Sequence, residues 1–423
     1  MNNEFDILEF SGLKNQNGWS FEETFPTDLK VIFRTSAIPS AQAIGKAIAN
    51  LADETIDIDS MPEEDGREFQ WTIRVRINSL PADLILWPET LEQEMKEELG
   101  VDDGWVLSIQ TALHPDDSLT HFANLFRLFG ALPFELHSIL DLPTGRCYPA
   151  NVINELFINA EEEPPEEILW ITRLIEAPME AEPEKRWAWI STHGLNRCGR
   201  VELEMLGVPS ALSTEAISCV DGMSALTFER ALPATGKTVT IGFNLEVGID
   251  KSENLLLKLA DNMPGREKRD YPVACITSNN YHDPCPIEVL ELLRAGHTSV
   301  ARTKRFTQRQ SAFARKEWKL FLSIAQMVGK SEHATCMIQV PWTKTGDEDG
   351  PREYLWFNVD KVNEERVAAT LAHPPKFVNT IDAEHSDVFS VEDITDWVVM
   401  TPIGPLGPSD TEAINLFATQ MQN

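Results

Sequence analysis

The segment EFQWTIRVRIN (68–78) places Phe69, Trp71, Ile73, Val75 and Ile77 on alternate positions, with Gln70, Thr72, Arg74 and Arg76 between them. A strict period of two predicts a strand with one buried and one solvated face. In PETLEQEMKEELG (88–100) the period changes. Leu91, Met95 and Leu99 recur every four residues, between Pro88 at the first helical position and Gly100 at the stop, and this predicts a helix. Together with strands near 30–36 and 104–110 and helices near 40–51 and 116–130, these segments predict an N-terminal α+β domain over 1–158.

NAEEEPPEE (159–167) breaks the periodicity with charge and a proline pair, and reads as an acidic linker. A middle α+β domain is expected over 168–298. Its strands fall near 168–176, 186–192, 200–206, 238–247 and 271–277, with helices near 211–225 and 286–296. The remainder, 299–423, begins with one long helix over about 300–328. Eight basic residues lie within 294–319, and Phe306, Phe313 and Phe321 form the docking face. HATCMIQV, EYLWFNV, DVFSV and DWVVMTP then predict a small β-rich C-terminal domain, a bent sheet or partial barrel. The fold class is α+β, multidomain, with mixed sheets and flanking helices.

Charge narrows the partners. Against 36 basic residues stand 67 acidic ones, a balance of −31. That argues against general nucleic-acid binding and anionic membranes, both of which need a basic footprint, and suits a basic protein partner. Between 155 and 184 there are ten acidic residues and one basic residue, Arg173. Six scattered cysteines without a CxxC read as reduced thiols, and the N-terminus has neither a basic start nor an apolar stretch. No apolar run is long enough to span a bilayer. A soluble cytoplasmic protein is expected.

Three stretches invite chemistry and lose the argument. In LPATGKTVTIG (232–242) the phosphate-loop pattern lacks its first glycine, Ala231 standing there, and strand composition follows where a helix is needed. YHDPCP (281–286) gathers His282, Asp283 and Cys285 without a second ligand pair. AEHSD (383–387) puts only His385 and Asp387 on one solvated face. No metal, cofactor or catalytic set is therefore expected.

STHGLNRCGR (191–200) holds more. WAWISTH sets Trp187, Trp189, Ser191 and His193 on one face, with Ala188, Ile190 and Thr192 on the other. Beyond the glycines, RVELEML sets Arg200, Glu202 and Glu204 opposite Val201, Leu203 and Met205. Paired in register, Ser191 would oppose Glu202 and Trp189 would oppose Glu204. A Trp–His–Glu face of this kind belongs at a groove, a ligand platform or an interface. The plainer reading, in which the glycines turn the chain and His193 makes a structural hydrogen bond, is preferred to a binding role. His193 and Cys198 make a poor catalytic pair, because no third group orients them.

WAWISTHGLNRCGRVELEMLGV resembles the Thr-His-Gly-Leu, Arg, Gly, Glu-Leu-Glu signature of a family of uncharacterised bacterial cytoplasmic proteins, a domain of unknown function. HFANLFRLFGALPFELHSILDLPTGRCYP is similar to that family's first domain. EYLWFNVDKVNEERVAATLAHPPKFV and FSVEDITDWVVMTPIGPLGP resemble the YegJ-like domain, although EERVAATLAH is helix-favouring where that pattern carries glycines. The resemblance supplies no activity. It marks His193, Gly194, Arg197, Trp356, Asp396 and Trp397.

The resulting expectation is a non-enzymatic interaction protein, immunity-like or regulatory, that engages a basic partner through acidic surface. Its binding candidates are Trp187, Trp189, His193, Arg197, Glu202, Glu204, Trp356, Asp396 and Trp397. The alternative is a hydrolase using His193 and Glu202 in a cleft between the first two domains.

Overall fold

The computed structural model describes residues 8–9, 23–35, 37–52, 56–60, 70–101, 103–160, 163–178, 182, 185–229, 238–241, 253–259, 271, 273–278, 285–295, 303–328, 334–343, 352–375, 378, 381–382, 384–402, 404–408, 410, 413–414 and 417. The protein is α+β and divides into two compact units, residues 1–238 with 256–286, and residues 239–255 with 287–423.

The first unit opens with a ribbon of β1 (Leu8–Glu9) and β2 (Glu23–Thr24). Seven strands then form an antiparallel sheet: β3 (Thr27–Phe33), β4 (Asp57–Ser60), β5 (Ile73–Arg76), β6 (Leu84–Thr90), β7 (Trp105–Thr111), β8 (Leu136–Asp141) and β9 (Arg146–Pro149). Their order is β4-β5-β6-β7-β3-β8-β9. Helices α1 (Ala41–Ala52), α2 (Gln93–Leu99), α3 (Ser118–Gly130) and α4 (Ala150–Ile153) accompany it. The expected alternation holds in β5, where Ile73 and Val75 are buried and Arg76 is exposed, and continues to the buried Ile77 just beyond the strand; Phe69 lies outside the described residues. Helix α3 buries Leu119, Phe122, Phe126 and Phe129, a spacing of three and four that makes one apolar stripe. Phe126 stacks on Phe157 at 4.4 Å between ring centroids.

Pro88 does not start a helix. It lies inside β6, opposite Leu107 of β7, and α2 begins five residues later, ending at a left-handed Gly100 (φ 65°). On its other side β6 pairs with β5 only from Leu84 to Leu86. Pro88 therefore sits where one edge is locally unpaired, and its missing N–H is no loss there.

A mixed sheet follows, from β10 (Ile171–Ala177), β11 (Trp187–His193), β12 (Glu202–Pro209), β13 (Thr238–Ile241), β14 (Glu253–Leu259) and β15 (Val273–Ser278), in the order β10-β11-β12-β15-β14-β13. The first three strands are antiparallel, and β12 runs parallel to β15. Helix α5 (Ser213–Glu229) packs on β10, β11 and β12. The expected linker is partly structured: Glu166–Leu169 forms a 3-10 turn that buries Glu166, Ile168 and Leu169. Of the rejected phosphate loop, residues 238–241 form a strand, as its composition implied; 232–237 and 242 lie outside the described residues, as do 281–284 of YHDPCP.

The second unit contains α6 (Ile287–Arg294), α7 (Lys304–Lys316), α8 (Trp318–Val328) and strands β16 (Thr335–Thr343), β17 (Arg352–Val362), β18 (Arg366–Leu371), β19 (Ser386–Ser390), β20 (Asp396–Thr401) and β21 (Gly404–Leu406). The single long helix expected over 300–328 is two, divided at Glu317, whose N–H still bonds Phe313 O. The sheet is open, in the order β19-β18-β17-β16-β20-β21, and does not close into a barrel. The helix-favouring EERVAATLAH supplies β18. Val367, Ala369 and Leu371 are buried there, so tertiary pairing with β17 and β19 overrides local propensity.

Candidate functional site

The chain leaves β11 at His193, turns through Gly194 and a 3-10 turn at Asn196–Cys198, and passes a left-handed Gly199 (φ 64°) into β12. Gly194 has φ 112°, and a Cβ there would stand 2.4 Å from Leu169 O and 3.2 Å from Trp170 Cα. Only glycine fits, both for its torsion and for this close approach.

Glu202 holds the loop from below. Its Oε1 accepts hydrogen bonds from Gly194 N (2.8 Å) and Asn196 N (3.1 Å), and its Oε2 accepts one from Thr192 Oγ1 (2.6 Å). The residue is 2 % exposed. Burial raises its carboxyl above the ordinary range, and the three hydrogen bonds only partly offset this.

Arg197 holds the loop from the side. Its guanidinium donates to both Asp141 oxygens (2.5 and 3.0 Å) and to Leu169 O (2.8 and 3.2 Å), and lies 4.6 Å from the Phe122 ring centroid. Thr144 Oγ1 also donates to Asp141. Burial works against the guanidinium charge, yet Asp141 outweighs it and Arg197 is held above its ordinary value. The loop is thereby fixed to β8 and α3 of the N-terminal sheet. Arg200 is also buried. It donates to Pro115 O at 3.1 Å and faces Phe228, and burial lowers its pKa. The Cys198 thiol is pushed up by burial to about 11, the opposite of an activated nucleophile.

Next to the loop, at Ile190 and Ser191, the pairing of β11 with β12 is shifted by two residues from the in-register expectation, and at Trp187 and Ala188 by three. Ser191 opposes Glu204, not Glu202, and an irregularity falls between Ala188 and Ile190. A shift of two keeps each side chain on its face, so Trp189 still meets Glu204, through Nε1 to Oε2 at 3.1 Å. Cys275 on β15 donates to the other Glu204 oxygen at 3.0 Å. His193 Nε2 lies 3.3 Å from Ser191 Oγ, while Glu202 turns to the loop. Trp187 is 52 % exposed, on the same face as Ile175 of β10 at 51 %, while Leu174, 40 % exposed, lies on the opposite face.

The C-terminal candidates belong to the second unit. Trp397 is fully buried. Its ring lies 5.0 Å from Phe321, and its indole N–H donates to Ala314 O at 2.9 Å, tying α7 and α8 to β20. Asp396 accepts from Gln310 Nε2 (2.6 Å) and from Trp397 N (2.8 Å), and burial raises its carboxyl to about 6. Trp356 on β17 is half-buried opposite Gln339. His385 stands 3.7 Å from Asp387 and edge-on to Trp342.

Sequence reasoning missed Asp141, which lies 56 residues from Arg197. The available sign was an acid closing the apolar strand LHSILD. It also missed Asp221 on α5, which accepts from Trp170 Nε1 and Thr172 Oγ1. Among the described residues, no group of three or more His, Cys, Asp or Glu side chains could hold a metal ion, and no helix is long and apolar enough to cross a membrane.

The fold and this loop define an α+β protein whose mixed sheet is locked to an antiparallel neighbour by a buried ion pair and whose outer strand exposes Leu174 and Ile175. Residues 175–268, which include the loop, match the family described as protein of unknown function (DUF4026) C-terminal. No curated protein and no solved structure matches the chain.

Proposed function

We propose that this is a non-enzymatic interaction protein of the bacterial cytoplasm, immunity-like or regulatory, that engages a basic protein partner through acidic surface. The observation that carries the reading is exposed apolar and aromatic surface, Ile175 and Trp187 on one face of the β10–β11 pair, within the acid-rich stretch 155–184 and just beyond it. Such surface in a field of one sign suits capture of a partner of the opposite sign. The hydrolase reading is supported less well, since both Glu202 oxygens are taken by Thr192, Gly194 and Asn196.

Native mass spectrometry of the full chain, isolated from its host at low salt, tests this. The expected result is a stoichiometric basic protein that dissociates as salt is raised. A bare chain, or a small ligand in place of a protein, overturns the reading.

A further inference from the structure

Strand β10 ends the mixed sheet, and among the described residues no strand pairs with its outer side. Among the described residues it is also the longest strand at any edge of the three large sheets. It has seven residues, where β4, β9 and β13 have four, β19 has five and β21 three. Short or heavily charged edges resist pairing with other chains. β4, with Asp57 and Asp59 flanking Ile58, is such an edge. β10 carries one charge of each sign, Arg173 and Glu176, but the two residues between them, Leu174 and Ile175, are apolar and exposed. Ile175 stands opposite Trp189, and Ala177 opposite Trp187, so one face of the edge continues into a tryptophan surface.

We infer that β10 is a docking edge for strand addition, and that its occupant is an extended, basic segment of a partner protein. This rests on the interaction reading above and names the site and the mode. Backbone hydrogen bonds along a free edge supply affinity, and alternate side chains supply selectivity. The incoming strand would place an apolar side chain beside Ile175, and its basic residues would meet the acid-rich stretch 155–184, in which ten acidic residues stand against Arg173 alone. Charge decides against the other natural occupant of a free edge, a second copy of this chain, because two chains at −31 repel.

The probe is a synthetic nine-residue peptide of alternating lysine and valine, compared with the same peptide N-methylated at every second amide. The methyl groups remove the donors on one edge and leave charge intact. Binding to the full chain is measured by fluorescence anisotropy at low salt, and amide exchange is followed over 171–177. The expected result is binding by the plain peptide at least about tenfold tighter than by the methylated one, with slowed exchange in β10. Ile175→Lys, at an exposed site, weakens the plain peptide at least about tenfold and leaves the melting temperature unchanged. Equal binding of both peptides overturns strand addition and leaves the electrostatic reading standing. No binding by either, protection elsewhere in the chain, or a dimer through β10 in the free protein also overturns the inference. Native mass spectrometry decides the broader reading separately.

Discussion

Arg197 and Asp141 form a two-pronged ion pair in which neither side chain has any solvent exposure. One residue comes from the loop between β11 and β12, the other from the end of β8, so the pair joins two sheets of the first unit. A buried ion pair is weak evidence for stability gained, since desolvation offsets much of the attraction, but removing one partner leaves an uncompensated charge.

Arg197→Ala is therefore expected to destabilise the first unit by about 3–5 kcal/mol, read as a lower urea midpoint for that unit's transition. The double substitution Arg197→Met with Asp141→Leu recovers much of that loss. If Arg197→Ala shifts the midpoint by less than about 1 kcal/mol, the pair does not hold the sheets together.

Two glycines with positive φ separate torsion from crowding. At Gly207 (φ 64°) a Cβ meets nothing within 4 Å, whereas at Gly194 it would strike Leu169 O. Gly207→Ala is expected to cost about 1–2 kcal/mol, the left-handed penalty alone, and Gly194→Ala clearly more. Equal melting temperatures for the two variants would refute the close approach.

Glu202 titrates above its ordinary value because it is buried. The folded state then holds its proton to higher pH than the unfolded state does. This contribution to stability is largest below the unfolded pKa and declines as pH rises towards the folded one. Glu202→Gln keeps an acceptor for Gly194 and Asn196, and should remove that decline at little cost. Glu202→Ala strands both amides and should cost about 1–3 kcal/mol. Thermal melts of the three proteins at several pH values check the order.

Asp396 behaves in the same direction in the second unit, with an ordinary value of 3.8 and a folded value of about 6. Stability of that unit should fall as pH rises from about 4 to about 6, by up to about 3 kcal/mol, and then level off. In Asp396→Asn, Gln310 can rotate its amide to present oxygen, and the slope should vanish. A wild-type profile that is flat from pH 4 to 7 rejects the buried carboxyl.

What the sequence determined by itself was local. Period two in β5, the three-four stripe of α3, the strand composition after Lys237 and the glycine turn at 194–199 are each written in neighbouring residues, because secondary structure follows from side-chain period and backbone freedom. The tertiary structure decided what depends on residues far apart. It made β18 a strand despite helix-favouring residues, since β17 and β19 flank it. It kept Pro88 in a strand, where β5 stops short. It shifted β11 against β12 by two residues at Ser191 and three at Trp187, and joined Arg197 to Asp141 across 56 positions. The sequence supplied the arginine and its loop. Only the packing of two sheets supplied a carboxylate at the right place, and with it the burial that makes Arg197 and Glu202 parts of a lock and leaves β10 facing solvent.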